Sequence, residues 1–126
     1  MTIALDASAV LAVINSEPGA EMVQDAWTDA SISAANYSEV IAKLVDTGLD
    51  DAEAIGVLEA LPITVHALDA AQAQRAGLLR RWTREHGLSF GGRACLALAA
   101  SLGLPAMTAD RACLALGLGI EVIVIR

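Results

Sequence analysis

Three acidic residues stand where a carboxylate can take part in chemistry. Asp6 follows a short strand-like run, Asp110 follows a second one, and Glu39 lies in the first turn of a helix that is predicted to start at Asn36. In an open parallel sheet, ligands bind beyond the carboxyl ends of the strands. If the strands before Asp6 and Asp110 are neighbours, both carboxylates face the same crevice.

A group of converging carboxylates needs a counter-charge. Like charges held a few ångströms apart repel each other, and a bound cation relieves that repulsion. An all-oxygen set of ligands suits Mg²⁺ or Mn²⁺, which proteins hold with a few carboxylates, water and substrate phosphate. Such ions activate water and stabilise charge at a phosphorus centre. The residues alone therefore indicate a metal-dependent phosphodiester or phosphoryl enzyme.

Each of these acids also has a purely structural interpretation. Asp6 and Asp110 are good helix N-caps, an interaction worth about 1 kcal/mol, and Asn36 with Glu39 nearly matches a capping box. Taken singly, the structural role is at least as well supported as catalysis. The predicted convergence is what distinguishes Asp6, Glu39 and Asp110. We assign only a capping role to a second group of acids: Asp50, Glu53 and Asp69.

Strand-like and helical segments alternate along the chain. This alternation predicts an α/β fold with a central parallel sheet and helices on both faces. No linker or low-complexity tract divides the sequence, so we expect a single domain over residues 1–126. The predicted strands are Thr2–Leu5, Ser31–Ala34, Ile63–Val65, Pro105–Thr108 and Ile120–Ile125. The predicted helices are Ser8–Ile14, Pro18–Trp27, Asn36 to before Gly48, Asp50 to before Pro62, Asp69–His86, Arg93–Ser101 and Arg111–Leu116.

Composition limits the classes of function. The chain is 56% hydrophobic but 3% aromatic, so the core must be aliphatic and few rings are available to stack on bases. Its net charge of −7 argues against broad non-specific nucleic-acid binding. Residues 1–70 hold twelve acids and one base, whereas residues 71–126 hold three acids and seven arginines. With no long apolar span and no signal peptide, we expect a cytoplasmic protein without a membrane segment.

Four short motifs occur in an order typical of one family. They are Leu5–Ala9, Ile32–Ala34 followed by Asn36–Val40, Gly91–Ala97, and Leu104–Asp110. Each motif is unspecific by itself, but the ordered set, from about residue 2 to the C-terminus, resembles the PIN-domain nucleases. Within that family it is most similar to the VapC toxins of bacterial toxin–antitoxin pairs.

The resemblance implies a fold, an activity and partners. It implies a PIN domain in which Asp6, Glu39 and Asp110 bind Mg²⁺ or Mn²⁺ and the hydroxyls of Ser8 and Thr108 steady the site or bind water. The implied activity is metal-dependent endoribonuclease cleavage of RNA. The implied partners are a second copy of the chain, in a homodimer, and a VapB-type antitoxin whose arginine reaches toward the acids as a surrogate cation.

The third motif departs from the family pattern. The family usually has Gly-Asp-Arg where this chain has Gly91-Gly92-Arg93, and nothing in the local sequence requires a second glycine. One ligand is therefore missing at Gly92, which should weaken metal binding or misplace the attacking water and so impair the activity. Arg93 has two interpretations, a contact to phosphate at the rim of the site or a packing role.

Two other functions compete with an impaired nuclease. The first is a catalytically inactive PIN domain that only binds RNA or its antitoxin, and Gly92 is the feature that supports it. The second is a phosphatase of the haloacid dehalogenase type, which also places an Asp after the first strand. That family has a second Asp two residues later, where this chain has Ser8, and a well-placed lysine, whereas Lys43 is the only lysine here.

Overall fold

The computed structural model describes residues 2–115 and 117–126. Met1 lies outside the described residues, and so does Leu116, the last residue of the helix predicted over Arg111–Leu116. In the described part, five parallel strands form one sheet in the order β3-β2-β1-β4-β5. The predicted α/β class is therefore confirmed. The strands are β1 (Ile3–Leu5), β2 (Ala30–Ser33), β3 (Thr64–His66), β4 (Ala106–Thr108) and β5 (Val122–Val124).

Helices connect the strands and cover both faces of the sheet. None of those within the described ranges is long and apolar enough to cross a membrane. The α-helices are α1 (Ala7–Ile14), α2 (Ala20–Asp25), α3 (Ala34–Asp46), α4 (Asp51–Glu59), α5 (Ala70–Leu78), α6 (Arg80–Thr83) and α7 (Phe90–Leu102). Short 3₁₀ turns are at Trp27–Asp29, Arg84–His86 and Arg111–Ala115.

The central strand β1 separates two aliphatic cores. Ile3 and Leu5 point to the core that includes α1, α3 and α4, whereas Ala4 points to the core built around α7. This alternation follows from the two-residue period of a strand, in which successive side chains lie on opposite faces. Cys95 and Cys113 are buried in the second core as free thiols.

The register of the sheet positions the ends of β1, β2 and β4 together. Leu5 pairs with Ile32 on one side and with Met107 on the other. The next residue of the chain, Asp6, therefore stands level with the carboxyl ends of both neighbouring strands, and its amide donates to Met107 O at 3.2 Å. The carboxyl ends of β1, β2 and β4 therefore lie at one edge of the sheet. This is the condition under which Asp6 and Asp110 can face the same crevice.

Two predicted helix starts were wrong by two residues each, and a third by three, since α7 begins at Phe90 and not at Arg93. Pro18 does not begin α2, because Gly19 takes a left-handed conformation (φ 94°) as N-cap and the helix starts at Ala20. Asn36 does not begin α3, because Ser33 is the N-cap and accepts from the amide of Ala35 at 3.2 Å. The capping box predicted for Asn36 and Glu39 is therefore absent, and both residues lie within the helix. The capping box of Asp50 with Glu53 is present.

The long helix predicted over Asp69–His86 is instead broken. α5 ends at Leu78 and is followed by α6 and a 3₁₀ turn, closed by Gly87 in the left-handed conformation. Gly77 is a poor helix former and lies one residue before the end of α5, so it weakens the continuation of a single helix over the eighteen predicted residues.

Candidate active site

Asp6 joins the end of β1 to the start of α1 and is almost completely buried. Its Oδ1 accepts hydrogen bonds from the Ser8 hydroxyl at 2.6 Å and from the Ala9 amide at 3.0 Å. Its Oδ2 accepts from the Thr108 hydroxyl at 2.5 Å. Asp6 is thus the N-cap of α1, as its structural interpretation required, and it also faces the strand-end cleft. One side chain therefore both caps a helix and borders the cleft.

The surroundings of Asp6 act on its pKa in opposite directions. Burial raises the pKa above its ordinary value, because a charged carboxylate loses its hydration. Hydrogen bonds from Ser8, Thr108 and the Ala9 amide lower the pKa, and the negative charge of Asp110 raises it. The net effect raises the pKa of Asp6. Hydrogen-bond donors stabilise its negative charge, whereas no basic side chain among the described residues forms an ion pair with it.

Ser8 and Thr108 tie β1 to β4 through their hydroxyls. The Ser8 hydroxyl accepts from the Ala109 amide at 2.9 Å, and the Thr108 hydroxyl accepts from the Asp110 amide at 2.9 Å. Each hydroxyl has one proton, which it donates to Asp6. The two hydroxyl oxygens lie 3.3 Å apart, but neither has a second proton with which to donate a hydrogen bond to the other. The pair fixes the backbone at Asp110 relative to Asp6.

Glu39 is held by Asn36, which the sequence indicated only as a helix start and half of a near capping box. The side-chain amide of Asn36, which is 1% exposed, donates to Glu39 Oε1 at 2.8 Å and to the Gly91 carbonyl at 2.9 Å. Gly91 approaches Glu39 closely, since a Cβ there would overlap Oε1 and lie 2.6 Å from Oε2. The N-terminus of α7 can therefore reach Glu39 only because residue 91 has no side chain.

Asp110, like Glu39, is exposed, whereas Asp6 is buried. Asp110 Oδ1 accepts from the Ala112 amide at 2.9 Å and so caps the 3₁₀ turn that follows β4. Together with Asp6 and Glu39 it borders one cleft of about 140 Å³ at the carboxyl edge of the sheet. The remaining lining residues are Ala7, Ser8, Asn36, Ser89 and Gly92. The structure thus brings the sequence-selected acids, and position 92, to a single place.

The oxygens of this cleft suit a hard divalent cation. Within the described residues no basic side chain forms an ion pair with Asp6, Glu39 or Asp110. Glu39 Oε2 and Asp110 Oδ2 accept no hydrogen bond there, and the buried Asn36 Oδ1 has no partner. The same residues contain no cluster of three His, Cys, Asp or Glu side chains that closes on one metal position. Mg²⁺ does not need one, because it is usually held by one or two carboxylates with water and substrate phosphate.

Gly92 is the third residue of α7, and its amide donates to the N-cap Ser89 at 3.2 Å. A Cβ at position 92 would lie 2.6 Å from Cδ1 and 2.8 Å from Cγ of Leu88. Leu88 is 1% exposed and belongs to the core around α7, so it cannot simply turn into solvent. The expectation that nothing local requires glycine was therefore wrong: Leu88 fills the space that a side chain at 92 would need.

Arg93 packs α7 against α5. Its Nη1 donates to the Ala76 carbonyl at 3.1 Å, and its guanidinium lies 5.9 Å from the centroid of the Phe90 ring. Arg93 does not line the carboxylate cleft in this conformation. The contacts match the packing interpretation and leave the phosphate contact without support. The sequence around Arg93 does not indicate Ala76 as its hydrogen-bond partner, because the two residues are seventeen positions apart.

The fold and the cleft define a class of protein, an α/β domain with an acidic site at the carboxyl edge of a parallel sheet. The family model of the PIN domain matches residues 3–116, and the chain belongs to the PIN domain family. No curated protein sequence matches the chain.

Solved structures share the fold at low sequence identity. A DNA-bound VapBC from Salmonella typhimurium is 19% identical, with a TM-score of 0.73, over 97% of this chain and 96% of that one. A toxin–antitoxin complex from Klebsiella pneumoniae is 17% identical, with a TM-score of 0.72, over 98% of each chain. VapC20 of Mycobacterium tuberculosis, described as a toxin that cleaves the sarcin–ricin loop, is 16% identical, with a TM-score of 0.70, over 86% and 88%.

Proposed function

We propose that this chain is the toxin of a type II toxin–antitoxin pair and a metal-dependent endoribonuclease, weakened by Gly92. The observation that carries the proposal is the set of carboxylates that share one strand-end cleft without a basic partner in the described residues. Membership of the PIN domain family supports nuclease chemistry. The solved relatives include toxin–antitoxin complexes and a toxin described as cleaving RNA of the sarcin–ricin loop, which supports the biological role.

Asp6, Glu39 and Asp110 are the residues that hold the cation in this proposal. The ion is Mg²⁺ or Mn²⁺, and when bound it supplies Lewis-acid stabilisation of charge on the scissile phosphate and lowers the pKa of water. The chain itself contributes orientation. Ser8 and Thr108 keep Asp6 in place with two hydroxyl protons, and Asn36 keeps Glu39 in place with its amide.

The reaction adds one water molecule across a phosphodiester bond of RNA. The water oxygen bonds to phosphorus, the bond from phosphorus to one ribose oxygen breaks, and that oxygen leaves as a hydroxyl after gaining a proton. Glu39 Oε2 and Asp110 Oδ2 accept no hydrogen bond in the described structure, and in this proposal one of these two oxygens takes the proton of the attacking water. A carboxylate at position 92 is absent, which leaves this water less well oriented.

The partners in the proposal follow from the charge of the cleft. An acidic pocket without a protein cation suits an arginine from a VapB-type antitoxin, because a guanidinium binds carboxylates through two parallel hydrogen bonds. The toxin acts as a homodimer in the cytoplasm, where RNA and antitoxin are both present. Light scattering of the purified chain, alone and with its antitoxin, tests the homodimer and the complex separately.

The decisive experiment is cleavage of a panel of structured RNAs in Mg²⁺ and in Mn²⁺. We expect slow cleavage that a chelator abolishes and that Asp6→Ala removes, because Asp6 is the central carboxylate of the cleft. Asp25→Ala is the matched control, since it deletes an exposed acid on α2, outside the cleft. Equal cleavage by the parent and by Asp6→Ala would contradict the proposal.

A second function is favoured by one observation. Leu88 lies where the Cβ of a side chain at residue 92 would be, so an acid at the third acidic position would require Leu88 to move. This favours a catalytically inactive PIN domain that binds RNA or its antitoxin. Absence of cleavage at high enzyme and metal concentrations, with RNA retained in a binding assay or with a stable antitoxin complex, would establish this function instead.

A further inference from the structure

Within the described residues, the side-chain amide of Asn36 uses its nitrogen in hydrogen bonds but not its oxygen. Both N–H groups of its amide are used, one by Glu39 Oε1 and one by the Gly91 carbonyl. Its Oδ1 is buried and has no hydrogen-bond partner among the residues that the structure describes. The orientation of the amide is fixed, since a flipped side chain would set an oxygen against two acceptor oxygens. Oδ1 is therefore held in a defined place by the rest of the side chain.

A buried amide oxygen without a partner is uncommon and costs free energy. Asn36 is one of the residues that line the cleft with Asp6, Glu39 and Asp110, so an ion bound in that cleft is a candidate partner for Oδ1. The cleft is negatively charged and lacks a basic side chain among the described residues. A neutral amide oxygen is an accepted ligand of hard cations, used beside carboxylates in many sites.

We propose that Asn36 Oδ1 is a neutral oxygen ligand of the divalent cation, bound directly or through one water, on the side of the cleft where Gly92 provides no carboxylate. The proposal rests on the metal site of the proposed function. It assigns to Asn36 two separate tasks: the amide nitrogen positions Glu39, and the amide oxygen faces the ion.

The two tasks can be separated by removing Glu39. In the parent, Asn36→Ala removes both the hydrogen bond that positions Glu39 and the proposed oxygen ligand. A lower Mn²⁺ affinity of this variant alone would not show which of the two losses caused it. In a Glu39→Ala background no carboxylate remains to be positioned. We expect Asn36→Ala to lower the Mn²⁺ affinity in that background by a further factor of about ten, measured by titration with water-proton relaxation or calorimetry. Asn15→Ala, at the exposed end of α1, is the matched control in both backgrounds.

A measurement on the unsubstituted chain avoids the effect of these variants on folding. Asn15 and Asn36 are the only asparagines, so asparagine labelled with ¹³C and ¹⁵N gives two side-chain amides, one exposed and one in the cleft. We expect Mg²⁺ to shift the carbonyl ¹³C signal of Asn36 and to leave that of Asn15 unchanged.

The outcomes distinguish this inference from the proposed function. If Asn36→Ala weakens Mn²⁺ binding only when Glu39 is present, Asn36 is a positioning residue and the oxygen is not a ligand. An Mg²⁺ titration that saturates the site but leaves the Asn36 carbonyl signal unmoved would overturn the inference as well. In both cases metal-dependent RNA cleavage would still support the proposed function. A parent that binds neither ion would overturn the inference together with the metal dependence of the proposed function.

Discussion

Restoring an acid at position 92 should have a steric cost as well as a chemical benefit. In Gly92→Asp the new Cβ lies 2.6 Å from Leu88 Cδ1, closer than real side chains tolerate, so Leu88 must move within a filled core. Overpacking of this kind costs about 1–3 kcal/mol. Replacing a helical glycine returns up to about 1 kcal/mol. We therefore expect the metal-free variant to be less stable than the parent by up to about 2 kcal/mol.

Gly92→Ala separates the two effects, because it has the same Cβ and no carboxylate. We expect both variants to lose similar stability in urea denaturation without metal, and only Gly92→Asp to gain Mn²⁺ affinity and RNA cleavage, by a factor on the order of ten. Gly77→Ala is the control for helix propensity, since a Cβ at that position has open space. It should be stabilised by about 1 kcal/mol.

Leu88→Ala should relieve the overlap. Alone it removes a buried leucine and costs about 2–5 kcal/mol. Combined with Gly92→Asp it should cost less than the sum of the single changes, by about 1–3 kcal/mol, because the two side chains compete for one space. A Gly92→Ala variant that is as stabilised as Gly77→Ala, or additive effects of Leu88→Ala and Gly92→Asp, would refute the steric reasoning. Equal cleavage by Gly92→Ala and Gly92→Asp would refute the chemical reasoning.

Three further predictions test the site and the core. Gly91→Ala should lower Mn²⁺ affinity about tenfold, measured by calorimetry, because its Cβ displaces Glu39, whereas Gly77→Ala should leave it unchanged. Burial raises the pKa of Asp6, so the folded metal-free chain binds more protons than the unfolded chain, and its stability should fall as pH rises through that pKa. Asp6→Asn should lack this fall in urea denaturation between pH 4 and 7, and a parallel pH dependence would contradict the assignment. Burial raises the pKa of Cys113 to about 11, so at pH 8 about one thiol in a thousand is ionised. Iodoacetamide should label Cys113 only after unfolding, as mass spectrometry can show, and rapid labelling of the folded chain would be inconsistent with its burial.

The sequence predicted the parts of the site that depend on local pattern. Asp6 and Asp110 directly follow strands, and the rule that ligands bind at the carboxyl ends of parallel strands needs only the alternation of strands and helices. The order of the strands in the sheet was the condition left open, and β1 lies beside β4. The hydroxyls of Ser8 and Thr108 were selected by resemblance, and the structure shows their protons directed at Asp6.

The parts that could not be predicted depend on contacts between distant residues. Asn36 meets Gly91 across 55 positions of sequence, and no local pattern marks such a pair. The spacing of Asn36 and Glu39 nearly matched a capping box, but Ser33 is the N-cap and the helix begins at Ala34, so the same pair of side chains performs a different task. The long predicted helix breaks after Leu78, directly beyond Gly77, where a weak helix former interrupts a pattern that otherwise favours a helix.

The packing of Leu88 beside Gly92 affects how the absence of a carboxylate at position 92 is interpreted. Deleting a carboxylate from an otherwise unaltered cleft would leave a polar space that water fills. Here Leu88, four residues earlier in the chain, lies where the Cβ of a side chain at 92 would be, although Gly92 itself borders the cleft. Gly92→Asp therefore changes charge and packing together, since it adds the missing carboxylate and displaces Leu88, and only comparison with Gly92→Ala separates the two effects.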